Sequence, residues 1–172
     1  MKRGTGRKLG FYELVAEKLS TDTSDVEDPM ARGTELEGGA IAAYEEKYGV
    51  KVTQSGEVWV SDENHSIAIS PDGELNDETA IEIKCLSSAR HLQAYFEKCV
   101  PDDYMPQVMQ YFIVNEKLQC MNVVFFDPRI AALPVHMIEV LRSDWVDTIE
   151  NYRKYQVEAL AEVKELVAQL TF

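Results

Sequence analysis

Apolar positions along this chain fall into alternating helix-like and strand-like stretches. Over residues 9–19, Phe11, Leu14, Val15 and Leu19 recur near one helical face, and the polar, acidic run 21–28 reads as a loop. Asp28-Pro29 is a helix start, an acidic cap with proline in the first turn. That helix is expected to run to about Tyr48 and stop at Gly49. Gly33, Gly38 and Gly39 inside it would let a second backbone or DNA come close, or serve tight packing on a sheet. Short β-like stretches follow near 50–53, 58–61 and 66–70, then a strand over 80–85. Ser87 or Ser88 caps a helix to about Lys98, Pro101-Asp102-Asp103 breaks it, and another helix spans about 104–114. Residues 119–126 form a Val- and Phe-rich strand, with 134–141 as its expected antiparallel neighbour. Ser143-Asp144 is expected to cap a long last helix, with Ile149, Tyr152, Gln156, Leu160, Val163, Leu166, Val167 and Leu170 near helical spacing. This order predicts an α/β or α+β fold, a central mixed sheet flanked by helices in one domain. Residues 1–28 supply an N-terminal helix and acidic loop, and 29–172 the core and C-terminal helix.

Composition narrows the function classes. At 172 residues and 45% apolar content the chain can bury a real core, and no run approaches the roughly 18 apolar residues of a membrane span. Residues 1–8 are basic with no apolar stretch behind them, so no secretory leader is expected. Cys85, Cys99 and Cys120, odd in number and widely spaced, fit a reducing cytoplasm and no disulfide framework. A net charge of −13 argues against nucleic-acid binding by the whole surface, but leaves room for a local basic rim. Lys2, Arg3, Arg7 and Lys8, then Arg32 and Arg90, are its candidates, although a frayed basic terminus accounts equally well for the first four. No Walker-type loop is present, and His65, His91 and His136 lack metal-ligand spacing.

The chemistry concentrates in Ser70-Pro71-Asp72-Gly73 and Ala80-Ile81-Glu82-Ile83-Lys84-Cys85. On a strand, Glu82 and Lys84 share one face while Ile81, Ile83 and Cys85 share the apolar one. If a hairpin-like loop returns Asp72 to this strand, two carboxylates and an amine converge. Magnesium prefers hard oxygen ligands and keeps several waters. Asp72 and Glu82 would each offer one oxygen and the Ile83 carbonyl a third, leaving Lys84 to orient a water or stabilise an anionic transition state. That set suits phosphodiester hydrolysis. Read plainly, Asp-Gly is also a common turn and Glu-x-Lys a common surface pair. The acidic pair Asp77-Glu78 beside it reads as loop. Glu35 and Glu37 point in different directions on a helix, so only one can face a site. Gln107, near a helix start, could bond a phosphate or a bound water.

These blocks, in this order, resemble the phage lambda exonuclease and YqaJ-type viral recombinase group of PD-(D/E)xK nucleases. The resemblance is carried by Arg32-Gly33-Thr34-Glu35-Leu36-Glu37 with Ala42-Ala43-Tyr44-Glu45, by the two motifs above, and by Tyr104-Met105-Pro106-Gln107-Val108. Phe125-Phe126-Asp127-Pro128-Arg129 and the helix after Arg142-Ser143-Asp144 complete it, over roughly residues 30–170. It implies a restriction-endonuclease-like core and a Mg²⁺-dependent (or Mn²⁺-dependent) exonuclease that degrades one strand of linear duplex DNA from its 5′ end. By analogy Asp72, Glu82 and the Ile83 carbonyl bind metal, Lys84 handles the nucleophile and Glu37 supports the site. Tyr104, Gln107 and Arg32 meet the substrate. The resemblance further implies a ring-shaped homotrimer on duplex DNA ends, a single-strand annealing protein as partner, and a cytoplasmic setting in phage recombination. The family's upstream segment, with an arginine and a Thr-Ala-Ser-like motif near the DNA 5′ phosphate, has no counterpart here. The 5′-phosphate preference and processivity are therefore not implied by the resemblance, and Lys2, Arg3, Arg7 or Arg32 are the candidate substitutes. A restriction or junction-resolving endonuclease, and a non-catalytic DNA-end-binding module, are the alternatives.

Overall fold

A computed structural model describes residues 9–19, 29–54, 56–62 and 65–170. The element order is α1 (Leu9–Leu19), α2 (Pro29–Tyr48), β1 (Trp59–Val60), β2 (Ala68–Ile69), β3 (Gly73–Asn76), β4 (Thr79–Lys84), α3 (Ser88–Glu97), α4 (Met105–Val114), β5 (Cys120–Phe126) and β6 (Val135–Leu141). A single 3-10 turn, Arg142–Asp144, then leads into α5 (Val146–Leu170).

The fold is α+β, a mixed four-stranded sheet in the order β3-β4-β5-β6 with helices on both faces. β4 and β5 run parallel, joined by the α3–α4 crossover that parallel strands require, and the outer pairs are antiparallel. β5 is buried at every position, the pattern of a central strand covered on two sides. On one face Ala40, Ile41 and Tyr44 of α2 pack against Ile81, Val124 and Val135. On the other, Val108, Met109, Tyr111 and Phe112 of α4 pack against Ala80, Met121, Val123 and Phe125, with Ile149 of α5 joining them. Arg142 fixes the far end of α4. Its guanidinium donates to the Phe112 and Asn115 carbonyls at 2.7 Å each, and to the Leu118 carbonyl at 2.6 Å. Phe112 lies in the last turn of α4, where carbonyls lack an intrahelical partner.

Four expectations need correction. The stretch 50–53 is a single bridge, Thr53 to Glu74, because Glu45 Oε1 takes the Val52 N–H at 2.8 Å and draws the segment toward α2. Gly73–Asn76 is a strand that the apolar pattern did not mark, held by pairing with β4 rather than by alternation. In α1 the buried positions are Tyr12 and Ala16, with Val15 partly buried and Leu19 exposed. The Phe11 and Leu14 side chains lie outside the described residues. Ser143 and Asp144 form the 3-10 turn and bond each other rather than capping α5, of which Val163, Leu166 and Val167 stay exposed. Among the α2 glycines, a methyl group on Gly39 would meet Phe126 at 3.6 Å and one on Gly38 would meet nothing, so Gly39 faces the sheet at ordinary packing distance.

Beneath α3, two histidines are buried against each other, His91 and His136, with ring centroids 4.6 Å apart. His136 donates from Nε2 to the His91 carbonyl, and His91 to the Leu133 carbonyl. Burial, and then His91, push His136 down to about 4. A histidine depressed in the folded state contributes stability above its unfolded pKa of about 6.5, and this is lost as pH falls toward 4. His136→Gln should therefore lose less melting temperature than the parent between pH 7 and pH 5. Parallel melting curves for both proteins would reject the assignment.

Candidate active site

The β3–β4 hairpin performs the return that the sequence pattern required. Asn76 Oδ1 accepts the Glu78 N–H at 2.9 Å, closing a turn through Asp77-Glu78, and Gly73 pairs with Ile81. Asp72, one residue before β3, therefore sits beside the end of β4, and its Oδ2 accepts the Ile83 N–H at 2.6 Å. N–H and C=O of one strand residue point to the same edge. The Ile83 carbonyl thus faces the edge where Asp72 lies, beyond the last residue that β3 pairs. Gly73 is required here: a Cβ would meet Val52 Cγ1 at 2.3 Å, and valine is stiff. Gly73→Ala should cost about 1–3 kcal/mol and displace Asp72. A thermal melt with unchanged midpoint would refute this.

Glu82 and Lys84 share a face, as alternation requires, but it is not a solvent face. Glu82 is only 5% exposed because α4 lies over it. Three neighbours hold its carboxylate. Lys84 Nζ and Gln107 Nε2 each donate to Oε1 at 2.7 Å, and the Tyr111 hydroxyl donates to Oε2. Gln107 Oε1 in turn accepts from Lys84 Nζ at 2.8 Å, so Lys84, Glu82 and Gln107 close a triangle. Burial first, and Glu82 next, raise the Tyr111 phenol far above its ordinary range, keeping it a proton donor. The same hydroxyl lies 2.9 Å from the Ser70 carbonyl, tying the Asp72 loop to α4.

Asp72 is electrostatically unsatisfied. Burial, and then Glu82, push it up to about 6; Glu37 adds to the rise, while the Ile83 N–H and Lys84 oppose it. Its Oδ1 accepts no hydrogen bond among the described residues. A half-buried carboxylate beside two others is a place where a cation lowers the energy. The oxygens of Asp72, Glu82 and the Ile83 main chain are the hard donors that magnesium takes. Among the described residues no three His, Cys, Asp or Glu side chains form a metal cage by themselves. The donor set therefore fits an ion that keeps several waters.

Of the other expected residues, Glu37 is half-buried and acts on Asp72, whereas Glu35 is exposed. Tyr104 stands just before α4, and its ring lies 4.8 Å from Lys84 Nζ and 5.6 Å from the Arg90 guanidinium, one nitrogen of which donates to both Asp103 oxygens at 2.7 and 2.8 Å. Arg32 lies on α2 but its side chain, like all of residues 1–8, is outside the described residues. Tyr111 escaped the sequence reading. Its signal was present, since Gln107 and Tyr111 are four apart on one helix and must share a face.

A model of the YqaJ-like viral recombinase domain matches residues 10–117. Two solved structures of LHK-Exo, an alkaline exonuclease from Laribacter hongkongensis, are each 26% identical to this chain with a TM-score of 0.70. The one in complex with dAMP matches over 94% of this chain and 86% of that one, the other over 99% and 90%. A phage related exonuclease from Haemophilus somnus 129PT is 15% identical, with a TM-score of 0.52 over 90% of this chain and 83% of that chain, a likeness of fold. No curated protein matches the chain.

Proposed function

The chain belongs to the YqaJ-like viral recombinase domain family, and from that premise we propose that it is a Mg²⁺-dependent 5′→3′ exonuclease. Its substrate is linear double-stranded DNA and its setting phage-type recombination. The observation that carries this reading is the convergence of Asp72 with the Glu82–Lys84–Gln107–Tyr111 network at the end of β4. The LHK-Exo relatives support a nuclease, and the dAMP in one of them is a deoxynucleoside monophosphate, the kind of product that stepwise hydrolysis from a strand end releases.

Asp72, Glu82 and the Ile83 carbonyl would hold the ion, which when bound acidifies water and neutralises charge on the phosphate. Lys84, fixed between Glu82 and Gln107, presents an ammonium that orients the attacking water and offsets charge developing on the phosphoryl oxygens. Gln107 and Tyr111 hold Glu82 in one orientation. Tyr104 walls the ammonium on one side, with the Arg90–Asp103 ion pair beside its ring. Glu37 raises the local negative charge that draws in the cation.

The direction and end requirement are tested with duplexes labelled at the 5′ or the 3′ terminus, beside a covalently closed circle. Early release of the 5′ label and an intact circle are expected. Cutting of the circle would replace this reading with an endonuclease, and early loss of the 3′ label would reverse the polarity.

A further inference from the structure

Away from the hydrolytic centre, a groove of about 570 Å³ opens between the ends of α2 and α3 and the outer edge of β6. That volume is within the roughly 300–1,000 Å³ of small-molecule sites. Its lining is unlike the rest of this acidic chain: Lys47, Lys98, Tyr48, Tyr95, Phe96 and His136 contribute to it, and among the described residues no acidic side chain does. Tyr95 and Phe96 are 43% and 57% exposed and stand edge to face with centroids 5.2 Å apart. His136 is 5.4 Å from Tyr95. Aromatic faces between cations are the recognition chemistry of single-stranded nucleic acid, with bases on rings and phosphates on lysines.

Two further observations choose among occupants. Lys98 ends α3 in the left-handed conformation, φ 53° and ψ 38°, and among the described residues it alone does so without being glycine. Glycine is the ordinary residue there, so keeping a lysine costs about 1 kcal/mol that packing does not return. The outer edge of β6 is also closed to an added peptide strand at this point. Lys47 Nζ donates to the Val135 carbonyl at 2.6 Å, and the Tyr48 hydroxyl accepts the Met137 N–H. Those backbone groups are the ones strand addition would need. His136 is in register with Phe125, and Phe125 with Lys84, so the groove begins about 10 Å from Lys84, two strand spacings along the sheet.

We propose that this groove is a second nucleic-acid site, holding single-stranded DNA with a base against Tyr95 and Phe96 and neighbouring phosphates on Lys47 and Lys98. It deepens the reading above and rests on DNA being the substrate. A strand separated at the hydrolytic centre would find a sequence-tolerant hold there.

The test is fluorescence anisotropy of a labelled oligothymidylate in EDTA, which stops hydrolysis, with duplex hydrolysis in Mg²⁺ assayed alongside. Wild type should bind. Phe96→Ala should bind about tenfold more weakly, the effect of losing one stacked base. Lys98→Gly should bind more weakly with a salt slope shallower by about 0.7, while its melting temperature holds or rises. Both variants should still hydrolyse the duplex. Wild type that does not bind, or variants that bind like wild type, would overturn the proposal and leave the nuclease reading standing. Unchanged binding with a drop in molecular mass in Phe96→Ala would assign the groove to a second copy of the chain, overturning it too. Weakened binding in the variants of a protein that hydrolyses nothing would keep the site and remove the nuclease.

Discussion

Lys84→Ala is expected to lower the rate of DNA hydrolysis by roughly 10²–10⁴, the usual cost of removing one positioned catalytic group. Among the described residues Nζ is the only cation bonded to Glu82, and it also bonds Gln107, so its loss removes charge from the reacting centre and opens the triangle. The fold should survive. Glu82 keeps Gln107 and Tyr111 as donors, and the stability loss should be about 3–5 kcal/mol, the cost of removing one partner of a buried ion pair. Lys84→Arg should not restore activity, because a planar guanidinium cannot occupy the pocket of a compact ammonium. Single-turnover rates and melting curves for both variants check this. A rate within threefold of wild type for either, or unfolding of Lys84→Ala at room temperature, would remove Lys84 from the catalytic role.

Asp72→Asn should have the second largest effect, and its sign differs between activity and stability. The folded carboxyl titrates at about 6, against about 3.9 when unfolded. The native state thus binds the extra proton between those values. The stability this contributes is complete below the unfolded pKa and is lost as pH rises through 6. At pH 7 the metal-free protein carries a strained carboxylate worth about 2 kcal/mol, allowing for its partial contact with water. Asparagine removes that strain and can still accept the Ile83 N–H. Metal-free Asp72→Asn should therefore melt several degrees above metal-free wild type at pH 7 and level with it at pH 4. It should also lose most activity and gain no melting temperature from Mg²⁺, whereas wild type gains. Thermal melts with Mg²⁺ or EDTA at both pH values decide. An equal Mg²⁺ gain in the two proteins would take Asp72 out of the ligand set.

Much of this arrangement was readable from residue order, for physical reasons. Cap, proline and glycine signals mark α2, α3 and α4, and Val- and Phe-rich composition marks β5, a strand buried at every position. Pro29 opens α2, the Ser87 cap opens α3, and the Gly49 stop ends α2, while Asp28 lies outside the described residues. The alternation that placed Glu82 and Lys84 together is a property of any strand. What the sequence did not carry was what lies over them. The plain alternative, a Glu-x-Lys surface pair, fails because α4 covers this polar face and leaves Glu82 buried. β3 was hidden because Gly-Glu-Leu-Asn has no strand pattern and forms only against β4. Tyr111 was passed over as one apolar residue among many on a buried helix, and only the fold shows its hydroxyl aimed at Glu82. The roles expected of Arg32 and of the basic terminus rest on side chains outside the described residues.

The central claim is that Asp72, Glu82 and Lys84 form one metal-dependent hydrolytic centre. Its most direct test is the release of acid-soluble nucleotides from 5′-phosphorylated linear duplex DNA, by wild type and by Lys84→Ala, each with Mg²⁺ or EDTA. Release by wild type in Mg²⁺, none in EDTA and none by the variant is the result this account predicts. Release that survives EDTA, or equal release by the variant, would contradict it.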